Sequence, residues 1–217
     1  MTNADRYNLS PDSLERAQRI IEILRTDFAL APGRKLVIGV AGESGSGKSV
    51  AASSLAQELG HAGFRAAVLY QDDYFVRPPR TNHEFRLLDI HANVGPQEVQ
   101  LDLIAEHIAA FRAGRDVVAP LVDYPGNRFV TQPLALSSAD VLVVEGTYVL
   151  GLRDLDVRLF CSATHAETHA RRKARARDAD DPIIEHILEI EHRLIAPQGD
   201  AADLVVDADF QLHRRAR

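Results

Sequence analysis

Cysteine is almost missing from these 217 residues, with Cys161 the only one. An internal disulfide is therefore excluded, and the usage fits a reducing compartment. There is no apolar run long enough to span a bilayer. The polar stretch 1–6 is not the pattern of a signal peptide. Repeats and low-complexity segments are absent as well. A basic excess is also lacking: 25 Lys and Arg stand against 31 Asp and Glu, for a net charge of -6. That balance argues against a nucleic-acid partner held through phosphate contacts. The hydrophobic fraction of 46% and charged fraction of 26% are those of a soluble protein. The length suits one well-buried α/β domain over 1–217 and is short for two. A cytoplasmic protein with neither membrane nor nucleic acid as partner is the expectation.

What is present begins with Gly42-Glu43-Ser44-Gly45-Ser46-Gly47-Lys48-Ser49. The spacing fits a phosphate-binding loop: a Gly, four free positions, then Gly-Lys-Ser/Thr. Gly42, Gly45 and Gly47 let the backbone approach a polyphosphate, and successive N–H groups, with Ser44 and Ser46 among them, form an anion nest at a helix N-terminus. Lys48 is placed to reach the β- and γ-phosphates, and the Ser49 hydroxyl to ligate Mg²⁺. The flanks agree. Residues 35–41 are mostly apolar and rich in β-branched residues, as in a buried parallel strand. Residues 50–59 are rich in Ala, Ser and Leu and stop at Gly60, as in a helix.

Elsewhere, Ser10-Pro11-Asp12 starts a helix within 1–33 whose stripe is Leu14, Ala17, Ile21, Leu24 and Phe28. Its expected role is packing or contact with a second copy, so a homo-oligomer is one expectation. Residues 66–70 form a second strand running into Gln71-Asp72-Asp73-Tyr74-Phe75, where an acid faces the ligand edge of a parallel sheet. The stretch 76–95 has no clear period and is expected to be irregular. A helix opens at Pro96 and ends near Gly114. Residues 115–136 make a hairpin outside the main sheet, 141–145 and 157–161 are strands, and 204–206 is the last. Thr164 and Glu167 have capping-box spacing before a basic run in the region 171–195. Residues 213–217 are expected to be a frayed terminus. The alternation predicts an α/β fold, a doubly wound parallel sheet.

No Asn-Lys-x-Asp guanine-reading element is present, and the chain is small for a motor. A phosphoryl transferase needs an acid near the acceptor, an acid on the metal side, and cations around the transferring charge. Asp72, Glu145 and the cluster Arg171 to Arg177 can supply them.

The chain resembles the uridine kinase and phosphoribulokinase family of P-loop kinases. The resemblance rests on residues 42–49, Gln71-Asp72-Asp73-Tyr74-Phe75, Pro120-Leu121-Val122-Asp123-Tyr124, Val143-Val144-Glu145-Gly146 and Arg171-Arg172-Lys173-Ala174-Arg175. It implies a P-loop kinase fold with a small hairpin and a helical lid, using ATP and Mg²⁺. Asp72 falls at the position of the acid that takes the acceptor proton, with Asp73 a bystander, and Glu145 at the acid that holds Mg²⁺. Arg172 and Arg175 fall at lid arginines, and Asp89 at a candidate for binding ribose hydroxyls. Tyr74, Tyr124 and Arg128 are candidates for lining the acceptor pocket.

The departures bear on the acceptor. Where relatives phosphorylating uridine or cytidine carry a Tyr and a His in the hairpin, this chain has Val122 and the turn Gly126-Asn127-Arg128. In the lid, Asp180 and Pro182 stand where a second arginine pair is common. The reading is an ATP- and Mg²⁺-dependent kinase of a small hydroxyl acceptor, with a nucleoside the first to try. A pantothenate-like or sugar-like alcohol, and a nucleotide-binding regulator without transfer activity, stay open. His83 and His91 lack the spacing of a metal site.

Overall fold

The computed structural model describes residues 9–174 and 182–215. Helix α1 (Pro11–Asp27) starts where its cap predicts, with Ser10 Oγ accepting the Ser13 N–H at 3.2 Å. It is followed by β1 (Leu36–Gly42), α2 (Lys48–His61), β2 (Ala66–Tyr70), a 3₁₀ turn (Gln71–Tyr74), α3 (Pro79–Leu88), α4 (Ile90–Asn93) and α5 (Leu101–Arg112). The hairpin β3 (Val117–Asp123) and β4 (Arg128–Leu134) comes next. Then follow β5 (Val141–Glu145), β6 (Val157–Cys161), α6 (His165–Ala174), α7 (Pro182–Ile195), β7 (Leu204–Val206) and β8 (Leu212–Arg214).

Six strands form one sheet in the order β2-β5-β1-β6-β7-β8, parallel except for β8. The hairpin is a separate two-stranded sheet. Strand β1 lies at the middle and is buried at every residue, which is why its sequence is continuously apolar rather than alternating. Its side chains divide between two cores. Leu36, Ile38 and Val40 pack with Ile20, Leu24, Leu55 and Leu59 from α1 and α2. Val37 and Ala41 pack with Ile104, Ile108 and Phe111 from α5. Helices thus cover both faces, and the doubly wound parallel sheet is the observed architecture.

The apolar face of α1 is spent inside the chain. It buries Ala17, Ile20, Ile21 and Leu24, and is tied to α2 by Ser54 Oγ donating to Ser13 Oγ at 3.0 Å and Gln18 Nε2 to Glu58 at 2.7 Å. Leu14, expected on the stripe, is half-buried.

Three expectations are corrected. The stretch 76–95 is mostly helical, not irregular. Its longer helix, α3, buries only Asn82 fully, so there is no apolar stripe to read. It is held instead by Arg86, whose guanidinium bonds both oxygens of buried Glu98 and also Glu191 of α7. The helix expected from Pro96 is only a 3₁₀ turn (Pro96–Glu98) until Leu101. Val99 is drawn into an extended bridge with Phe75, flanked by Val76 N–H donating to the Glu98 carbonyl and Gln100 N–H to the Tyr74 carbonyl. The basic end is not frayed through residue 215. Leu212–Arg214 is an antiparallel edge strand, with His213 paired to Asp207 and Arg214 to Asp27.

Candidate active site

The glycine loop leaves the carboxyl end of β1 and turns into α2. Gly47 caps α2 with φ 95°, a left-handed conformation that strains any side-chain-bearing residue. At Gly42 space decides: an added Cβ would lie 2.5 Å from the Cys161 carbonyl oxygen. With Gly45 also at φ 79°, the loop curls on itself, held by Ser46 N–H donating to the Glu43 carbonyl at 3.2 Å. Ser44 offers its carbonyl to Thr168 Oγ1 of α6 at 3.0 Å. Ser46 Oγ is buried with no hydrogen-bond partner among the described residues, an orphaned donor of the kind a phosphate oxygen would satisfy.

Two residues beyond that loop's last glycine, Ser49 Oγ donates to Glu145 Oε1 at 3.1 Å, and Lys48 Nζ lies 3.9 Å from the same oxygen. A hydroxyl and a carboxylate side by side, both hard oxygen donors, fit Mg²⁺. Glu145 ends β5 and is buried. Burial raises its carboxyl to about 7, Lys48 and the Ser49 hydroxyl pull it down, and the charges of Asp72 and Asp73 push it up.

Strand pairing brings Asp72 here. Tyr70, the last residue of β2, pairs in register with Glu145, and Asp72 follows two residues later, exposed, in the 3₁₀ turn. Tyr124, at the tip of the hairpin, donates to Asp72 Oδ2 at 3.5 Å, the outer limit of a hydrogen bond.

Other candidates fall elsewhere. Tyr74 does not line a pocket. It is 1% exposed in the core, with its hydroxyl on His107 Nδ1 at 2.8 Å. Asp89 Oδ1 is occupied as the N-cap of α4, accepting the N–H groups of His91 and Ala92. Arg128 is exposed and paired with Asp123 at 2.9 Å. Arg172 has its backbone in α6. Its side chain, like Arg175 and Asp180, lies outside the described residues.

Sequence reasoning missed two neighbours. Asp73, expected as a bystander, is buried, and its Oδ1 accepts the Val122 N–H of β3 at 2.9 Å, so it ties the hairpin to the sheet. Gln71 is buried too. Its Oε1 accepts the Tyr148 N–H at 2.9 Å, and its side chain fills the space a Cβ on Gly146 would need. The pairing of Gln71 with Gly146 across two motifs was the available signal.

The profile of the Phosphoribulokinase / Uridine kinase family matches residues 37–209. A bifunctional alpha-galactosidase/sucrose kinase of Mediterraneibacter gnavus is 27% identical over 224 residues, covering 96% of this chain and 24% of that protein. The chain thus spans about a quarter of the length of that relative. A uridine kinase of Staphylococcus haemolyticus is 28% identical over 183 residues, 78% of this chain and 86% of that one. Among solved structures, a possible uridine kinase from Bacillus stearothermophilus shares the fold with TM-score 0.58 at 21% identity, covering 88% of this chain and 98% of that chain.

A phosphate loop closing the central strand of a doubly wound sheet, with a buried acid on the next strand, is the arrangement of a P-loop kinase. The chain belongs to the phosphoribulokinase/uridine kinase family. Among the described residues, no helix is long and apolar enough to cross a membrane.

Proposed function

We propose that this protein moves the γ-phosphoryl group of ATP to a hydroxyl of a small polyhydroxyl acceptor. The observation that carries the reading is the convergence of Lys48, Ser49, Glu145 and Asp72 at the ends of neighbouring parallel strands. In this reading the loop amides and Lys48 hold the β- and γ-phosphates, and Ser49 and Glu145 hold Mg²⁺. The ion, when bound, neutralises charge on the transferring group. Asp72 orients the acceptor hydroxyl and takes its proton. Arg172 and Arg175 add charge stabilisation from the lid.

For the acceptor we favour a sugar over a nucleoside. The hairpin positions that read a pyrimidine in relatives are used here for structure. Val122 is buried with its N–H on Asp73, and Gly126 N–H and Arg128 Nε both bond Asp123. A site built on hydrogen bonds discriminates weakly once its partners are gone. The relative with a sucrose kinase activity aligns over 96% of this chain. The uridine kinase relatives keep uridine and cytidine as the second reading.

The test is ADP release at fixed ATP and Mg²⁺ across sugars, sugar alcohols, pantothenate and nucleosides. Turnover strictly dependent on a sugar supports the proposal. Turnover with uridine or cytidine alone overturns the acceptor class, and ATP binding without turnover for any acceptor points to a regulator. Asp72→Asn retains nucleotide binding and lowers turnover by roughly 10²- to 10⁴-fold. An active Asp72→Asn enzyme removes the assigned base.

A further inference from the structure

Glu43, the second residue of the glycine loop, takes no part in the chemistry above, yet it is 4% exposed. Its Oε2 accepts the His165 backbone N–H at 2.6 Å and the His165 ring at 3.1 Å, and its Oε1 accepts the His192 ring at 2.6 Å. Among the described residues, its ion-pair partners are these two histidines, with no Lys or Arg. A carboxylate withdrawn from water needs a cation, and two imidazoles that present nitrogen to it are metal ligands in their own right.

The three residues come from three elements: the loop after β1, the first turn of α6 and the last turn of α7. Their ligand atoms all lie within 4.8 Å of one another, and the two rings meet edge to face with centroids 5.4 Å apart. Ligands on a tetrahedral zinc ion, at about 2.0 Å from it, stand about 3.3 Å from each other. Small rotations of the two rings close that gap. An imidazole and carboxylate set suits Zn²⁺ and its first-row neighbours, whereas Mg²⁺ takes oxygen.

We propose that Glu43, His165 and His192 bind one Zn²⁺-class ion, with water as the fourth ligand, at a site separate from Ser49 and Glu145. Both rings present Nδ1 to Glu43, at 3.1 and 2.6 Å, and it is that nitrogen's lone pair that the ion would take, leaving the ring proton on Nε2. The ion cross-links the outer edge of the phosphate loop to the two helices that bracket residues 175–181. Thr168 Oγ1, on the Ser44 carbonyl, already fixes one of those helices to the loop.

The experiment uses the full-length protein, free of any affinity tag and stripped by chelation. Co²⁺ is titrated while the visible d–d bands of tetrahedral cobalt are followed, and bound Zn²⁺ is counted by elemental analysis after dialysis. The expected result is one equivalent of either ion, with Zn²⁺ displacing Co²⁺. Binding weakens at least tenfold in His192→Ala and in His165→Ala and is unchanged in Ser49→Ala. The His192 side chain is 37% exposed, so its variant is the one to rely on if His165→Ala loses its far-ultraviolet circular dichroism. The proposal is overturned by folded wild type that gives no cobalt bands. Bands that survive in folded His192→Ala overturn it too, as does loss of binding in Ser49→Ala.

Discussion

Asp72 and Asp73 are adjacent carboxylates with opposite surroundings: one is exposed in the turn after β2, the other buried against the hairpin backbone. A strand end turning into a 3₁₀ helix sends neighbouring side chains different ways, and nothing in the pair Asp-Asp says which goes where. Truncating Asp73 leaves the buried Val122 N–H without that acceptor. Asp73→Ala is therefore expected to cost about 1–3 kcal/mol of stability, read as a lower urea midpoint. It should raise the acceptor KM more than it lowers kcat, the inverse of Asp72→Asn. Glu145 carries a pH signature. Its folded pKa, about 7, lies above the ordinary 4.5 because burial disfavours the charge. The folded protein therefore holds this proton more tightly than the unfolded chain, and the metal-free protein loses stability as pH rises from 4.5 to 7, levelling above that. Urea melts across that window check it. Glu145→Gln should flatten this part of the profile and exceed wild type in stability at pH 8. At this scale what was legible is that Lys48, Ser49 and Glu145 come together, because their motifs fix both identity and place. Tyr74 misled, since an aromatic beside a candidate acid looks the same in sequence whether it faces a ligand or His107.

Elements announced themselves in proportion to how much apolar surface they bury. β1 and β5 are continuous apolar runs at the sheet centre and α1 has both cap and stripe, so all three were legible; α5 was legible from its stripe except for its start, which is at Leu101 and not Pro96. The capping box at the start of α6 was legible too, with Glu167 Oε2 accepting the Thr164 N–H at 2.8 Å. α3 was not, because its anchor is an ion pair rather than a stripe. Arg86, Glu98 and Glu191 join α3, the turn before α5 and α7 through a mostly buried guanidinium. Burial pushes the Glu191 carboxyl up, and Arg86 holds it down. Arg86→Met strips the counter-charge from buried Glu98 and half-buried Glu191 and is expected to destabilise the protein by about 3–5 kcal/mol. Chemical denaturation reads the loss. Changing Glu98 and Glu191 to Gln in the same protein should recover part of it, whereas a purely steric role for Arg86 predicts no recovery. β8 went unseen for a different reason: a three-residue basic edge strand has too little pattern to separate it from a tail.

For the molecule as a whole, Cys161 is a ready reporter. It sits 1% exposed on β6, beside the strand that carries the phosphate loop, and burial pushes its thiol up to about 12. A thiol reagent should therefore leave the folded protein unmodified and react at the rate of unfolding. Nucleotide with Mg²⁺ at a hundred times Kd should add about 2.7 kcal/mol of stability and slow labelling accordingly. Fast labelling of the folded protein would contradict the placement of β6. The hairpin has a consequence of another kind. Because, among the described residues, β3 and β4 pair as strands with each other alone, they can be rebuilt or exchanged without breaking a rung of the central sheet. Under the proposed function, a hairpin exchange that keeps an N–H on Asp73 should alter which alcohol is accepted while the pairing of the main-sheet strands stays as it is.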